Sequence, residues 1–173
     1  MIKPSAWTAR TFTFDLPIGA FPAVLERLRG TPARATELVS GVSEEVLGRR
    51  SNGKWSAKEN LGHLVDLHAL DVKRLAEYLA GAEMLFPGDI TNRATEAAKH
   101  NDAPIGLILA RMRKGRIELA LGLEALSGDE VGRVALHPRL QQPMRLLDWA
   151  YFVAEHDDYH LARARLAIRE VTR

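Results

Sequence analysis

The stretch from Met144 to Arg169 contains neither proline nor glycine, and its apolar residues recur at Leu146, Leu147, Ala150, Val153, Ala154, Leu161, Ala164 and Ile168. Spacings of three, four and seven predict an amphipathic helix, because residues so spaced line one face at 3.6 residues per turn. A helix with such a stripe must bury it against other elements. His156 and His160 stand at i and i+4 on this helix, one turn apart on a single face. Two imidazoles held that way can share one divalent metal ion.

Other stretches supply partners for the stripe. Residues 18–47 read as helical, with Gly30-Thr31-Pro32 dividing a first helix into pieces near 20–29 and 32–40, since Thr31 suits an N-cap and Pro32 the first helical position. Ser43-Glu44-Glu45 starts a short turn, and Arg49 to Lys54 is a polar loop. Ser56 and Glu59 form a capping box that opens a second long helix running to about Ala80, where Gly81 stops it. Trp55, just before the cap, is placed to staple against Asn60 or to bury itself elsewhere. Residues 91–100 suit one or two helical turns, and Asn101 or Asp102 caps a third long helix ending before Gly128. Residues 127–143 form the longest irregular connection. Ahead of all these lies an extended arm, residues 1–18, carrying Trp7, Phe12 and Phe14 for packing on the bundle or on a second subunit.

Four long helices with no convincing sheet and no repeat make an all-α fold, a four-helix bundle with a broken first helix and an N-terminal extended arm, in one domain spanning 1–173. The chain has no cysteine, so any metal must use histidine and carboxylate ligands, and no thiol of its own serves as nucleophile. The formal charge is +2, and acidic residues nearly cancel basic ones, so no nucleic-acid partner is expected. Arg163, Arg165, Arg169 and Arg173 read as a solvated helix face. No apolar run approaches membrane-spanning length and the first residues lack a signal-peptide pattern, so a cytoplasmic protein is expected, with no membrane partner.

His63 lies inside the second helix, and bundles build metal sites from inward side chains on facing helices. His63 with His156 and His160 gives three neutral nitrogen ligands and leaves a coordination position open, the arrangement of a catalytic rather than a structural metal. Asp66, near the His63 face, is placed to orient a ligand, whereas the capping role of Glu59 competes with any role in the site. His68 is five positions from His63, about 140° round the helix, too far to ligate the same ion. His100 and His137 read as surface or capping groups, and Asp157 and Asp158 as solvated charges. Asn92 and Arg93 are candidates for lining a substrate pocket.

The segment Lys54-Trp55-Ser56-Ala57-Lys58-Glu59-Asn60-Leu61-Gly62-His63-Leu64-Val65-Asp66, followed far downstream by Glu155-His156-Asp157-Asp158-Tyr159-His160-Leu161, resembles the DinB superfamily, also called DinB/YfiT-like. The resemblance covers helix order, the Trp-Ser helix start and both histidine motifs. It implies a metal-binding four-helix bundle with His63, His156 and His160 as ligands, zinc or nickel as the ion, and a homodimer. Some members of the family are thiol-dependent enzymes, including transferases that use a low-molecular-weight thiol and a maleylpyruvate isomerase. Two functional readings follow. One is an enzyme, a metal-dependent hydrolase or thiol-dependent S-transferase acting on a small-molecule substrate; the other is a non-catalytic metal- or ligand-binding bundle.

Overall fold

Phe21, Val24, Leu25, Leu28, Ala35 and Leu38 fall on one face of a continuous helix, α1 (Phe21–Val39), in a computed structural model that describes residues 2–173. The break expected at Pro32 does not occur. A proline inside a helix removes one backbone hydrogen bond and crowds the turn before it. Thr31, Pro32 and Ala35 are all buried, however, and α1 packs along two other helices, so tertiary burial outweighs the local penalty.

A short helix, α2 (Glu44–Gly48), is capped by Ser43. α3 (Ala57–Asp66) then opens with the expected capping box: Glu59 N–H donates to Ser56 Oγ at 3.1 Å, and Ser56 N–H donates to Glu59 Oε2 at 2.8 Å. The predicted second helix is divided at Leu67, beyond which α4 (His68–Leu79) continues. After α5 (Arg93–Ala97) come α6 (Ile105–Glu124) and α7 (Gly128–Val131). Strands β1 (Val134–His137) and β2 (Gln142–Arg145) pair as an antiparallel hairpin where an irregular connection was expected. The last helix, α8 (Leu146–Val171), closes the chain.

α1 packs against α6 and α8, and α3 packs against the same two helices. The first and second bundle helices, α1 and α3, therefore sit across the bundle from each other, as do the third and fourth, α6 and α8. Each diagonal step needs a long connection, and the hairpin with α7 supplies one of them. The fold is thus an all-α four-helix bundle with a small appended sheet. The N-terminal arm is extended apart from a turn of 3-10 helix at Trp7–Ala9, and the alternating Thr11–Phe14 stretch pairs with no strand. Its aromatic residues pack on the chain's own bundle: Trp7 and Phe12 lie 5.0 and 5.1 Å from the ring of Phe152. No helix among the described residues is long and apolar enough to cross a membrane.

Two apolar clusters divide the core. One gathers around Leu28, Tyr78, Leu123 and Trp149, the other around Ala35, Leu61, Met112 and Ala164. Between them, partway along each long helix, the buried residues turn polar: Thr31 on α1, His63 on α3, Asp71 on α4, Arg116 on α6, Asp157 and His160 on α8. Burying polar groups is unfavourable unless each finds a partner, so this layer is where the fold holds something other than packing.

Candidate metal centre

His63 comes from α3, and His156 and His160 from α8. Because those helices pack together, the three imidazoles converge, each offering a ring nitrogen within 4.8 Å of the others. Ring centroids are 4.5 Å apart for His156–His160, 4.6 Å for His63–His160 and 5.3 Å for His63–His156.

Hydrogen bonds around the rings decide which nitrogen faces inward. The Thr95 hydroxyl donates to Asp66 Oδ2 at 2.8 Å, so its oxygen is left to accept from His63 Nδ1, 2.9 Å away. That fixes the proton of neutral His63 on Nδ1 and leaves a lone pair on Nε2. His160 is set in the same way. Asn60 Nδ2 donates to the carbonyls of Trp55 and Ser56, which aims its Oδ1 at His160 Nδ1, 3.1 Å away. Asp66 also takes the Nε2 of His100 at 2.9 Å. Gly62 makes room for that ring, since a Cβ there would overlap it. Partners of this kind, which hold an imidazole in one tautomer and orientation, accompany metal-ligating histidines.

All three rings are held neutral. Burial pushes His63 down to about 4, and neighbouring His100 and Arg116 add to the shift against the pull of Asp66. His156 and His160 fall well below the ordinary histidine value, again through burial first and then through their charged and imidazole neighbours. Neutral imidazole is the form that coordinates a metal. With its preset lone pairs and all-nitrogen donor set, the cluster suits a borderline ion such as zinc or nickel.

Two tryptophans flank the cluster. Trp55 packs its ring 5.1 Å from His63 and 6.1 Å from His160 instead of stapling to Asn60, and its indole N–H donates to Glu96 at 2.6 Å. Trp7 of the arm meets His156 edge-on at 4.8 Å. The rings open onto a cavity of about 470 Å³ whose wall includes Trp7, Trp55, Arg74, His137, Arg139 and Phe152.

Several expectations change. His100 is buried and bonded to Asp66, so it belongs to the support of the site and not to the surface. His137 is only 2% exposed. Its Nδ1 accepts the backbone N–H of Leu140, which is a capping contact, but made inside the fold. Asp157 is fully buried and holds Arg116 with both oxygens at 2.9 and 2.6 Å, while Asp158 does lie near the surface, against Arg27 and Arg34. His68 stays outside the cluster, stacked over Gly115 and 3.3 Å from Glu118. Glu59 is occupied by its cap and by Arg50. Asn92 lines the cavity, whereas Arg93 points to solvent, and Arg163 of the basic cluster turns out to line the cavity too. Thr95 and Asn60 had no signal of their own in the sequence beyond the closeness of Asn60 to His63.

No curated protein sequence matches the chain. Solved structures share the fold, among them the following two. YfiT from Bacillus subtilis, described as a probable metal-dependent hydrolase with an unusual four-helix bundle topology, superposes with a TM-score of 0.81 over 94% of each chain at 18% identity. A mycothiol-dependent maleylpyruvate isomerase superposes with a TM-score of 0.66 at 14% identity, over 87% of this chain and 62% of that one. The sequence model of the DinB superfamily matches residues 27–164, a span that takes in the capping box, all three clustered histidines, the whole of α3 and most of α8. The chain therefore belongs to the DinB superfamily.

Proposed function

We propose that the protein is a metal-dependent enzyme acting on a small molecule, with His63, His156 and His160 holding one zinc or nickel ion. The observation that carries this reading is the pair of hydrogen bonds at Nδ1 of His63 and His160, which leaves two Nε2 lone pairs beside His156 at the edge of a cavity. A purely structural role would need no cavity there. When bound, the ion supplies Lewis-acid activation of a nucleophile, either water for hydrolysis or a low-molecular-weight thiol for transfer. The chain's own residues do the rest. Asp66, Thr95 and Asn60 keep the rings oriented, burial keeps them neutral, and Trp7 and Trp55 shield the centre from bulk water. With no cysteine in the chain, a transferred thiol must come from a diffusible cofactor.

Metal content by mass spectrometry tests the reading. About one equivalent of zinc or nickel is expected, lost in H63A and H156A while the helical circular-dichroism signal stays. Protein that carries no metal and takes up none on titration would overturn it. Loaded protein would then be screened against ester and amide hydrolysis and against thiol addition to electrophiles. A homodimer remains part of the proposal, now resting on exposed Val72 and Leu79 of α4 and Leu121 of α6, because the arm's aromatic residues are occupied within the chain. A monomer mass by sedimentation at micromolar concentration would remove it.

A further inference from the structure

Away from the histidine cluster, the cavity has a second polar corner, at the hairpin. His137 ends β1 and Arg139 lies in the turn that follows. Since His137 Nδ1 accepts the N–H of Leu140 at 3.2 Å, the proton of the neutral ring sits on Nε2. Burial, with the charges of Arg74 and Arg139 behind it, pushes His137 down to about 4 and keeps it neutral. Its Nε2–H is therefore a buried donor, and it finds no acceptor in the protein. Arg139 Nη2 is a second buried donor without an acceptor. Arg139 has no carboxylate partner among the described residues, and burial lowers its pKa with no acid to offset it, whereas Asp71 and Glu77 partly offset burial at its neighbour Arg74. Arg74 instead donates twice to the carbonyl of Phe86, at 3.0 and 2.9 Å. Leaving each such buried donor unpaired costs about 1–3 kcal/mol, more for a charged group.

Both residues pack against one ring. His137 lies 5.1 Å from Phe152, and the Arg139 guanidinium 5.6 Å above it. Phe152 precedes His156 by one helical turn, about 6 Å along α8. Trp7 joins the two, 5.0 Å from Phe152 and 4.8 Å from His156. An apolar floor thus runs from two donors that lack an acceptor to the histidine centre.

We propose that His137 and Arg139 form a carboxylate-binding subsite, so that the substrate is a small carboxylic acid with an apolar body lying over Phe152 and Trp7 towards the histidines. The proposal rests on the reading that the histidine centre acts on a small molecule. A carboxylate brings two acceptor oxygens and one negative charge, matching two donors and one guanidinium without a paired acid. A phosphate ester, with a second charge and a third oxygen, asks for more donors than this corner offers.

Calorimetric titration of metal-free protein with 3-phenylpropanoate, 3-phenylpropanamide and phenyl phosphate tests it. Metal-free protein keeps the acid from simply ligating the ion. The acid should bind at least about tenfold tighter than the amide. R139M should weaken the acid about tenfold or more and leave the amide unchanged, with R139K between. H137F should cost a few-fold, and R139M answers the question alone if H137F does not fold. Equal binding of acid and amide, an unchanged R139M, or tighter binding of phenyl phosphate would each overturn the subsite. Its failure is separable from that of the metal reading: a protein that binds metal but shows no acid preference loses only the subsite, and one that binds the acid but no metal loses only the metal centre.

Discussion

His156 and Asp157 are neighbours in sequence and sit in the same polar layer, yet they serve opposite ends. Asp157 belongs to a closed network: Arg116 donates to it twice and to Asp71 Oδ2 at 2.7 Å, tying α8, α6 and α4 together. Burial by itself would lower the Arg116 pKa, but the two carboxylates more than offset that and raise it, so the guanidinium stays charged. His156 belongs to a network left open on its inner side, where three ring nitrogens approach one another, those of His63 and His160 as lone pairs, and no ring carries a charge. Networks whose donors and acceptors are all matched hold helices together. Those with lone pairs facing one another are built for a ligand, because nothing in the protein balances them.

Breaking the closed half should cost most. R116M strands two buried carboxylates and should lower unfolding free energy by about 3–5 kcal/mol in urea denaturation. A loss below about 1 kcal/mol would mean the triad contributes nothing to holding the helices. In the open half, T95V removes the hydroxyl between His63 and Asp66. It should weaken metal binding about 10- to 100-fold while moving the urea midpoint much less than R116M does. Unchanged metal affinity would show that the orientation of His63 is set by packing alone.

Acid should separate the halves further. For His63 the folded pKa of about 4 lies below the unfolded value of about 6.5, so the unfolded chain binds more protons between those limits. Stability of metal-free protein is therefore complete above about pH 6.5 and falls as pH drops towards 4, by at most about 1.4 kcal/mol per pH unit for each such histidine. H63A should flatten that slope. A urea midpoint independent of pH across this range would contradict the burial of neutral rings. The smallest effect belongs to Asp158, beside Asp157 but half-exposed against Arg27 and Arg34: D158N should cost less than about 1 kcal/mol. A cost comparable with R116M would erase the distinction between buried and surface pairs.

Much of the frame was legible in the chain. The Ser56–Glu59 capping box predicts where α3 begins because both partners lie within one turn. The spacing of His156 and His160 places them on one face because helix geometry is local. Pro32 misleads for the converse reason, since its penalty is local whereas the burial of Thr31 and Ala35 that overcomes it comes from α6 and α8. The hairpin is hidden because each strand has four residues and its turn uses Gln141 at φ 53° in place of the glycine or asparagine that marks such positions. His100, Thr95 and Asn60 carry no sign of their roles, because their partners lie 34, 29 or 32, and 100 residues away.

By itself, the sequence determined where α3 starts, the apolar faces of the long helices and the shared face of His156 and His160, since periodicity and capping act within a turn or two. Only the tertiary structure decided which buried polar groups are satisfied. Asp157 is closed off by a guanidinium from α6, and His63 and His160 are set in their tautomers by Thr95 and Asn60. His137 and Arg139 are left with donors facing no acceptor. The reason is that a hydrogen bond needs its partner within about 3 Å, and for these groups that partner, or its absence, depends on how distant elements pack.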